Sequence, residues 1–125
     1  MSETQMTNLD IQCAELGRKI AQISGMDEKV INAALAVLEE QGLYAMFLYL
    51  QARHSNVAGE AYSDSLELLK NIFSNQLASA NNILEAIKIL ANSEDLDDLL
   101  FARDLLRTAL SYARYHLKAK GGETS

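Results

Sequence analysis

The chain has 125 residues, of which 49% are hydrophobic and 22% are charged, proportions typical of one globular domain and not of a disordered segment. It contains no proline, which removes the commonest helix breaker and favours helices joined by short turns. The net charge of −6, taken by itself, argues against a nucleic-acid partner.

Simple features of the sequence exclude several classes of protein. The longest apolar run, 43–50, is eight residues long, whereas a membrane-spanning helix needs about twenty. The first eight residues are polar and include Glu3 without a basic residue, unlike a secretion signal. A single cysteine, Cys13, can form neither an internal disulfide nor a metal-binding pair. We therefore expect a cytoplasmic protein with no metal or other cofactor and no membrane partner.

Apolar spacing predicts two amphipathic helices in the first third of the chain. The apolar residues of the first recur at intervals of four and three, as on one side of a helix. They are Leu9, Cys13, Leu16, Ile20 and Ile23. This helix is expected to begin at Leu9 and to end at Ser24-Gly25. A second helix is predicted from Asp27 to Gln41, followed by Gly42.

The segment 43–53 is apolar around the whole helix axis. Such a helix is typical of the centre of a fold, so we expect it to be buried. Residues 54–59 are mostly small or polar and are predicted to form a loop. A fourth helix over 60–77, a break at 79–82 and a short helix over 83–90 are predicted to follow.

A long last helix is predicted from Glu94 to Lys120. Acidic residues at its start and cations at its end suit the helix dipole, and Gly121 and Gly122 would end it. The sequence thus predicts an all-α fold, a compact single-domain bundle of five to six helices over 9–120 with a buried central helix and a long C-terminal helix. Residues 1–8 are expected to be a flexible N-terminal segment, and 121–125 a flexible tail.

No pattern of catalytic residues stands out. There is no glycine-rich phosphate loop, no Glu-x-x-His pair and no recognisable serine, histidine and aspartate set. We interpret His54 and His116 as surface or rim residues and Cys13 as a small buried hydrophobe. The acidic cluster at 94–98 lacks the glycine turn of a calcium loop and is interpreted as a solvated helix start. We therefore expect that the protein is not an enzyme.

The last helix carries a stripe of cations. At about 100° per residue, Arg107, Arg114 and Lys118 lie roughly 40°, 20° and 60° from Arg103, over a length of about 22 Å. Residues 99–120 include five cations and one acidic residue, a local charge of +4, while the rest of the chain carries −10. Such a stripe matches the phosphates of a single nucleic-acid strand, and three arginines favour bidentate phosphate contacts. An ordinary solvated helix face explains the same pattern and stays open.

Weaker candidates for phosphate contact lie elsewhere in the chain. They are Arg18 and Lys19 on the first helix and Arg53 at the end of the central helix. Tyr112 or Tyr115 would add base stacking if exposed, although either side chain is also suited to packing against a neighbouring helix.

The run from Val37 to Leu48 resembles the small helical subunit of type III CRISPR effector complexes, in particular the Cmr-type small subunit. In that family a helix ends at a polar-Gly-Leu junction and the next begins with an Ala-x-Phe-Leu pattern. Here these are Gly42-Leu43 and Ala45-Met-Phe47-Leu48, and a Tyr-containing helix follows over 62–69. The length, the helical pattern and the basic last helix are similar as well. The chain departs from the family in lacking a proline ahead of the Gly-Leu junction and in being less basic than many members.

The resemblance implies a non-catalytic subunit of a ribonucleoprotein effector complex. Copies of it stack along a filament of larger subunits, beside guide RNA paired with target RNA, and cations contact the RNA backbone irrespective of sequence. No family motif fixes those contacts, so the candidates come from helical position alone. They are Arg103, Arg107, Arg114, Lys118, Arg18, Lys19 and Arg53.

Two other hypotheses are weighed against this one. A helical protein-interaction or dimerisation module without nucleic-acid contact is favoured by the acidic remainder of the chain and its many aliphatic side chains. A small metal protein or carboxylate–histidine enzyme is disfavoured by the missing ligand motifs.

Overall fold

Six α-helices make up the fold. The computed structural model describes residues 3–93 and 96–124, with side-chain surroundings for 8–93 and 96–120. The helices, in chain order, are α1 Glu3–Ala21, α2 Glu28–Gln41, α3 Leu43–Arg53, α4 Ser55–Ile72, α5 Ile83–Ala91 and α6 Leu96–Thr124. The described residues contain no β-strand. The predicted all-α bundle of five to six helices is confirmed.

Helices α1 and α6 pack side by side and run in the same direction. Cys13 on α1 donates to the carbonyl oxygen of Leu105 at 3.5 Å, and Gly17, one turn further, faces Ala109 and Ala113. A Cβ atom at Gly17 would lie 2.5 Å from the Ala109 carbonyl oxygen and 2.9 Å from the Ala113 amide nitrogen. The absence of a side chain at Gly17 therefore sets how closely the two backbones approach.

Gly42 alone connects α2 to α3. Its φ of +99° lies in the region that favours glycine, and its N–H donates to the Leu38 carbonyl oxygen at 3.0 Å, closing α2. In α3 the buried side chains are Leu43, Met46, Phe47 and Leu50, as expected of a core helix. Leu48 on the other side is 43% exposed, so the apolar surface of α3 continues onto the outside of the molecule.

The predicted loop at 54–59 is wrong, because α4 already begins at Ser55. Only His54 separates α3 from α4, and its carbonyl oxygen accepts from the amides of Val57 and Ala58. Val57 and Ala58 are buried, so core packing holds this polar, glycine-containing stretch in a helix against its local preference.

Helix α4 ends at Ile72, five residues before the predicted end. The chain from Phe73 to Asn82 forms turns, in which the Leu77 amide donates to the Phe73 carbonyl oxygen and Leu77 and Ala80 are buried. Apolar residues thus continue at helical intervals although the helix itself has stopped, which explains the error in the prediction.

The terminal helices are longer than predicted. Helix α1 begins at Glu3, six residues before Leu9, and takes in most of the segment 1–8 that the sequence predicts to be flexible. Helix α6 continues through Gly121-Gly122 to Thr124, inside the predicted tail 121–125. The predicted start of the last helix at Glu94 lies outside the described residues.

The core is closely packed. Each described helix contributes buried apolar residues, and the stripe predicted for α1 is buried from Cys13 to Ile23, while Leu9 is half-buried. A cavity at the centre of the bundle, lined by residues of α1, α2, α3, α4 and α6, has a volume of only about 10 Å³. Helix α6 is therefore a fixed element of the bundle, and its outer face is presented to the surroundings in a defined orientation.

Candidate nucleic-acid interface

The predicted basic stripe on α6 divides into two parts. Arg103 and Arg107, in its first half, are turned onto the end of α2. Arg114 and Lys118, in its second half, have no ion pair with the side chains that the structure describes. We call Arg114 and Lys118 the α6 cation pair.

Arg103 and Arg107 clamp the C-terminal end of α2. Arg103 Nη2 donates to the carbonyl oxygens of Leu38 at 3.4 Å and of Glu39 at 3.3 Å. Both arginines also pair with the Glu39 carboxylate, Arg107 by direct contact of its Nε with Oε1 and Arg103 at 3.8 Å. Because the C-terminal end of a helix carries the negative end of its dipole, both guanidinium groups are well placed to stabilise α2. The side chains of Arg103 and Arg107 are 30% and 37% exposed, so both are largely covered by the rest of the chain.

Neighbouring acidic residues further reduce the local positive charge in the first half of the stripe. Asp104 Oδ1 accepts from Arg107 Nη1 at 3.1 Å, one helical turn away. Glu39 and Asp104 thus offset much of the charge of Arg103 and Arg107. An RNA phosphate at this position would compete with carboxylates already in place.

The α6 cation pair lies beyond this region. Arg114 is half-buried and Lys118 is exposed, and the two are one helical turn apart, about 6 Å along the axis. No acidic residue occurs between Asp104 and Lys120 in the sequence, so no carboxylate on this part of α6 offsets them. The positive surface of α6 is therefore shorter than the predicted stripe and is concentrated at its C-terminal half.

The weaker candidates are distributed over other surfaces. Arg18 pairs with Glu15 at 2.8 Å and also contacts Gln22, and its guanidinium group holds the pKa of the Glu15 carboxyl below its usual range. Lys19 lies 3.8 Å from Glu67 on α4. Arg53 is exposed in the last turn of α3. The structure brings none of the three into contact with the α6 cation pair.

The two tyrosines of α6 have different surroundings. Tyr112 packs against Gly17 and donates its hydroxyl proton to Asp10 at 2.9 Å, a hydrogen bond that raises the pKa of the phenol. Tyr115 is 64% exposed. Of the two, Tyr115 has the accessible ring that base stacking requires, and it adjoins Arg114 in the chain.

The remaining reactive side chains, Cys13, His54 and His116, have different surroundings. Cys13 is 1% exposed, as predicted, and burial together with Asp10 raises the pKa of its thiol to about 11. His54 is half-buried and contacts the Tyr49 hydroxyl at 3.4 Å, whereas His116 is exposed. Among residues 3–93 and 96–124, no group of three or more His, Cys, Asp or Glu side chains is placed to hold a metal ion.

None of the helices described by the structure has the length and apolar character of a membrane-spanning segment.

Sequence reasoning missed Glu39, which lies 64 residues from Arg103 and 68 from Arg107. No local pattern indicates that these residues meet, since the contact depends on how α2 packs against α6. The one signal in the sequence is the acidic pair Glu39-Glu40 near the C-terminal end of a predicted helix. Negative charges there interact unfavourably with the helix dipole, so cations from elsewhere in the chain would stabilise this end.

Comparisons with protein-family models, with curated proteins and with solved structures give no match to this chain.

Proposed function

We propose that the protein is a non-catalytic small subunit of a type III CRISPR ribonucleoprotein effector complex in the cytoplasm, where it contacts the backbone of guide and target RNA. The α6 cation pair carries the proposal, because these cations have no carboxylate partner among the described side chains. The resemblance of the Val37–Leu48 run and the all-α bundle support it further.

The chemistry proposed for this surface is backbone recognition. Cations one helical turn apart can contact neighbouring phosphates of one strand, and such contacts carry no sequence information. The exposed ring of Tyr115 provides a stacking surface for an unpaired base at the same end of α6. Arg103 and Arg107 are assigned chiefly to holding α2, and any phosphate contact they make is secondary.

Weak binding by the isolated chain is part of the proposal. The net charge is −6, so most of the surface repels RNA, and only the second half of α6 attracts it. Neighbouring subunits supply the remaining contacts, and the small subunit adds stability to the assembled filament.

Purification from the native source tests this proposal. A tagged wild-type chain is expected to copurify with larger subunits and with RNA of uniform length that is protected from nuclease. The tagged double variant Arg114→Glu and Lys118→Glu should copurify with the same larger subunits but with less RNA than the wild-type chain. Recovery of wild-type chain with no RNA and no large subunits would reject the assignment.

A second function, a protein-interaction module without nucleic-acid contact, is favoured by one observation. Leu96 and Leu100 are 65% and 53% exposed on neighbouring turns of α6, and adjoining exposed apolar side chains are a feature of protein-interaction surfaces. In that case the copurified complex would be unchanged by nuclease and would contain no RNA.

A further inference from the structure

The last turns of α6 expose a face that is uncharged at its centre and basic at both edges. Ala119 lies at the centre, and at about 100° per residue Lys118 and Lys120 lie about 100° to either side of it. All three residues are exposed. The α6 cation pair is therefore one edge of a wider surface, which we call the α6 end face. Its members are Arg114, Tyr115, His116, Lys118, Ala119 and Lys120.

Each edge of the α6 end face has two basic side chains. Arg114 lies about 40° from Lys118 around the helix axis, and His116 lies about 40° from Lys120. Tyr115, which is 64% exposed, lies between the two edges. Like the α6 cation pair, Lys120 has no ion pair with the side chains that the structure describes, so both edges present a cation that no carboxylate holds.

The edge formed by His116 and Lys120 is open because α1 ends beside it. Gly17 on α1 faces the buried Ala113, which lies on the same side of α6 as this edge. Helix α1 runs in the same direction as α6 and ends at Ala21, one turn beyond Gly17. His116 and Lys120, further along α6, are therefore exposed instead of being covered by α1.

One carboxylate of α1, that of Glu15, acts on this edge. Its pKa is lowered by the hydrogen bond and charge of Arg18 and, to a smaller extent, by the charges of Lys19 and His116. Since Arg18 pairs with Glu15 at 2.8 Å, most of the charge of this carboxylate is already offset. The second edge therefore stays positive through Lys120.

We propose that the α6 end face lies across the minor groove of an RNA duplex, with the phosphates of one strand on the α6 cation pair and those of the other strand on His116 and Lys120. The inference rests on the proposed function and specifies paired guide and target RNA as the form of RNA that this surface binds. A single strand needs only one of the two edges, whereas phosphates on both borders of a groove use both.

The shape of the α6 end face suits an A-form minor groove. That groove is wide and shallow, displays 2′-hydroxyl groups and is recognised through these groups and the phosphates beside them. The small side chain of Ala119 allows close approach, and the exposed Tyr115 supplies a hydroxyl that can bond a 2′-hydroxyl. Leu117, on the opposite side of α6, packs against the core, so only this face meets the RNA. The minor groove of B-form DNA, about 6 Å wide, is too narrow for a helix about 10–12 Å across.

Single charge reversals at the two edges test the inference. Lys118→Glu and Lys120→Glu make the same charge change on either side of Ala119. Lys29→Glu is the matched control, at an exposed lysine of α2 that has no ion pair with the described side chains. Fluorescence anisotropy of the full chain at low ionic strength compares binding to a labelled RNA duplex, to one of its single strands and to a DNA duplex of the same sequence.

The two forms of RNA should distinguish the two edges. On the RNA duplex, Lys118→Glu and Lys120→Glu should each bind at least about threefold more weakly than Lys29→Glu, and the slope of log affinity against log salt should fall by about 1 in each. On the single strand, Lys118→Glu should show this loss, whereas Lys120→Glu should bind like the control. The wild-type chain should bind the RNA duplex more tightly than the DNA duplex.

A Lys120→Glu variant that binds the RNA duplex like the control would overturn the inference and leave the α6 cation pair in its proposed role. Equal losses for Lys120→Glu on the duplex and on the single strand would also overturn it, because both edges would then contact one strand. Equal wild-type affinities for the RNA and DNA duplexes would overturn the minor-groove placement. If neither edge variant differs from the control on any RNA, the proposed function fails together with the inference.

Discussion

Gly17 determines how closely α1 and α6 can pack. A methyl group there would meet the Ala109 carbonyl oxygen at 2.5 Å, the Tyr112 Cβ at 2.6 Å and the Ala113 amide nitrogen at 2.9 Å. Two of these three atoms belong to the backbone of α6 and cannot rotate away. We predict that Gly17→Ala lowers the free energy of unfolding by about 2–3 kcal/mol, because the two helices must separate or shift.

Gly59 provides the matched control for this substitution. It lies within α4, is exposed, and a Cβ atom there would have no neighbour within 4 Å. Gly59→Ala should therefore raise the free energy of unfolding by about 0.5–1 kcal/mol, through the higher helix propensity of alanine. Urea denaturation of both variants measures the difference, and equal effects of the two substitutions would contradict the close approach of α1 and α6.

The thiol of Cys13 is expected to react slowly in the folded protein. Burial and the nearby Asp10 carboxylate raise its pKa from 9.0 to about 11, so at pH 8 the thiolate population falls by about a hundredfold relative to an exposed cysteine. Colorimetric disulfide exchange should show a correspondingly slow reaction that becomes fast on addition of denaturant. Fast reaction of the native thiol would contradict its placement against α6.

The pH dependence has a definite sign. Since the folded pKa of Cys13 is above the unfolded value, its contribution to stability is fully present below pH 9 and is lost as the pH rises through about 11. Around neutral pH the thiol is protonated in both the folded and the unfolded chain, so Cys13 causes no change in the free energy of unfolding with pH there.

At the scale of helices, one carboxylate joins α6 to α2. The Glu39 carboxylate pairs with both Arg107 and Arg103, and Arg103 also donates to the carbonyl oxygens of Leu38 and Glu39. We predict a coupling of about 0.5–1 kcal/mol between Glu39→Ala and Arg107→Ala in a double-mutant cycle of unfolding free energies. The exposed Arg107–Asp104 pair within α6 is the control, and its coupling should be smaller, about 0.3–0.5 kcal/mol. If Arg107 is coupled to Asp104 but not to Glu39, the contact between Arg107 and the end of α2 does not form in solution.

Helices were predictable where apolar spacing and end signals agreed. The positions of α2, α3 and α5 and of the C-terminal part of α1 follow from stripes such as Cys13, Leu16 and Ile20, and from Gly42 between two helical patterns. The α3–α4 connection was not predictable, because residues 54–59 have loop-like composition and become helical through burial of Val57 and Ala58. Likewise Phe73 and Leu77 keep a helical interval inside turns, so periodicity alone could not locate the end of α4.

For the molecule as a whole, the distribution of charge is more informative than its sum. The sequence indicates a +4 segment within an otherwise acidic chain, and the fold divides that segment again. Arg103 and Arg107 pair with Glu39 of the same chain, whereas the α6 cation pair has no ion pair with the described side chains. Helical position thus predicted which cations share a face, but the partners of each cation depended on packing between distant parts of the chain.

The proposed RNA contact is tested most directly by the salt dependence of binding to a fluorescently labelled single-stranded RNA. Arg114→Glu with Lys118→Glu is compared with Lys29→Glu with Lys70→Glu, which changes the net charge equally at two cations outside α6 that have no ion pair in the part of the chain that the structure describes. We predict that the α6 variant binds at least about tenfold more weakly than the control and that the slope of log affinity against log salt falls by about 1.4, for two lost phosphate contacts. Equal affinities and equal slopes for the two variants would contradict it.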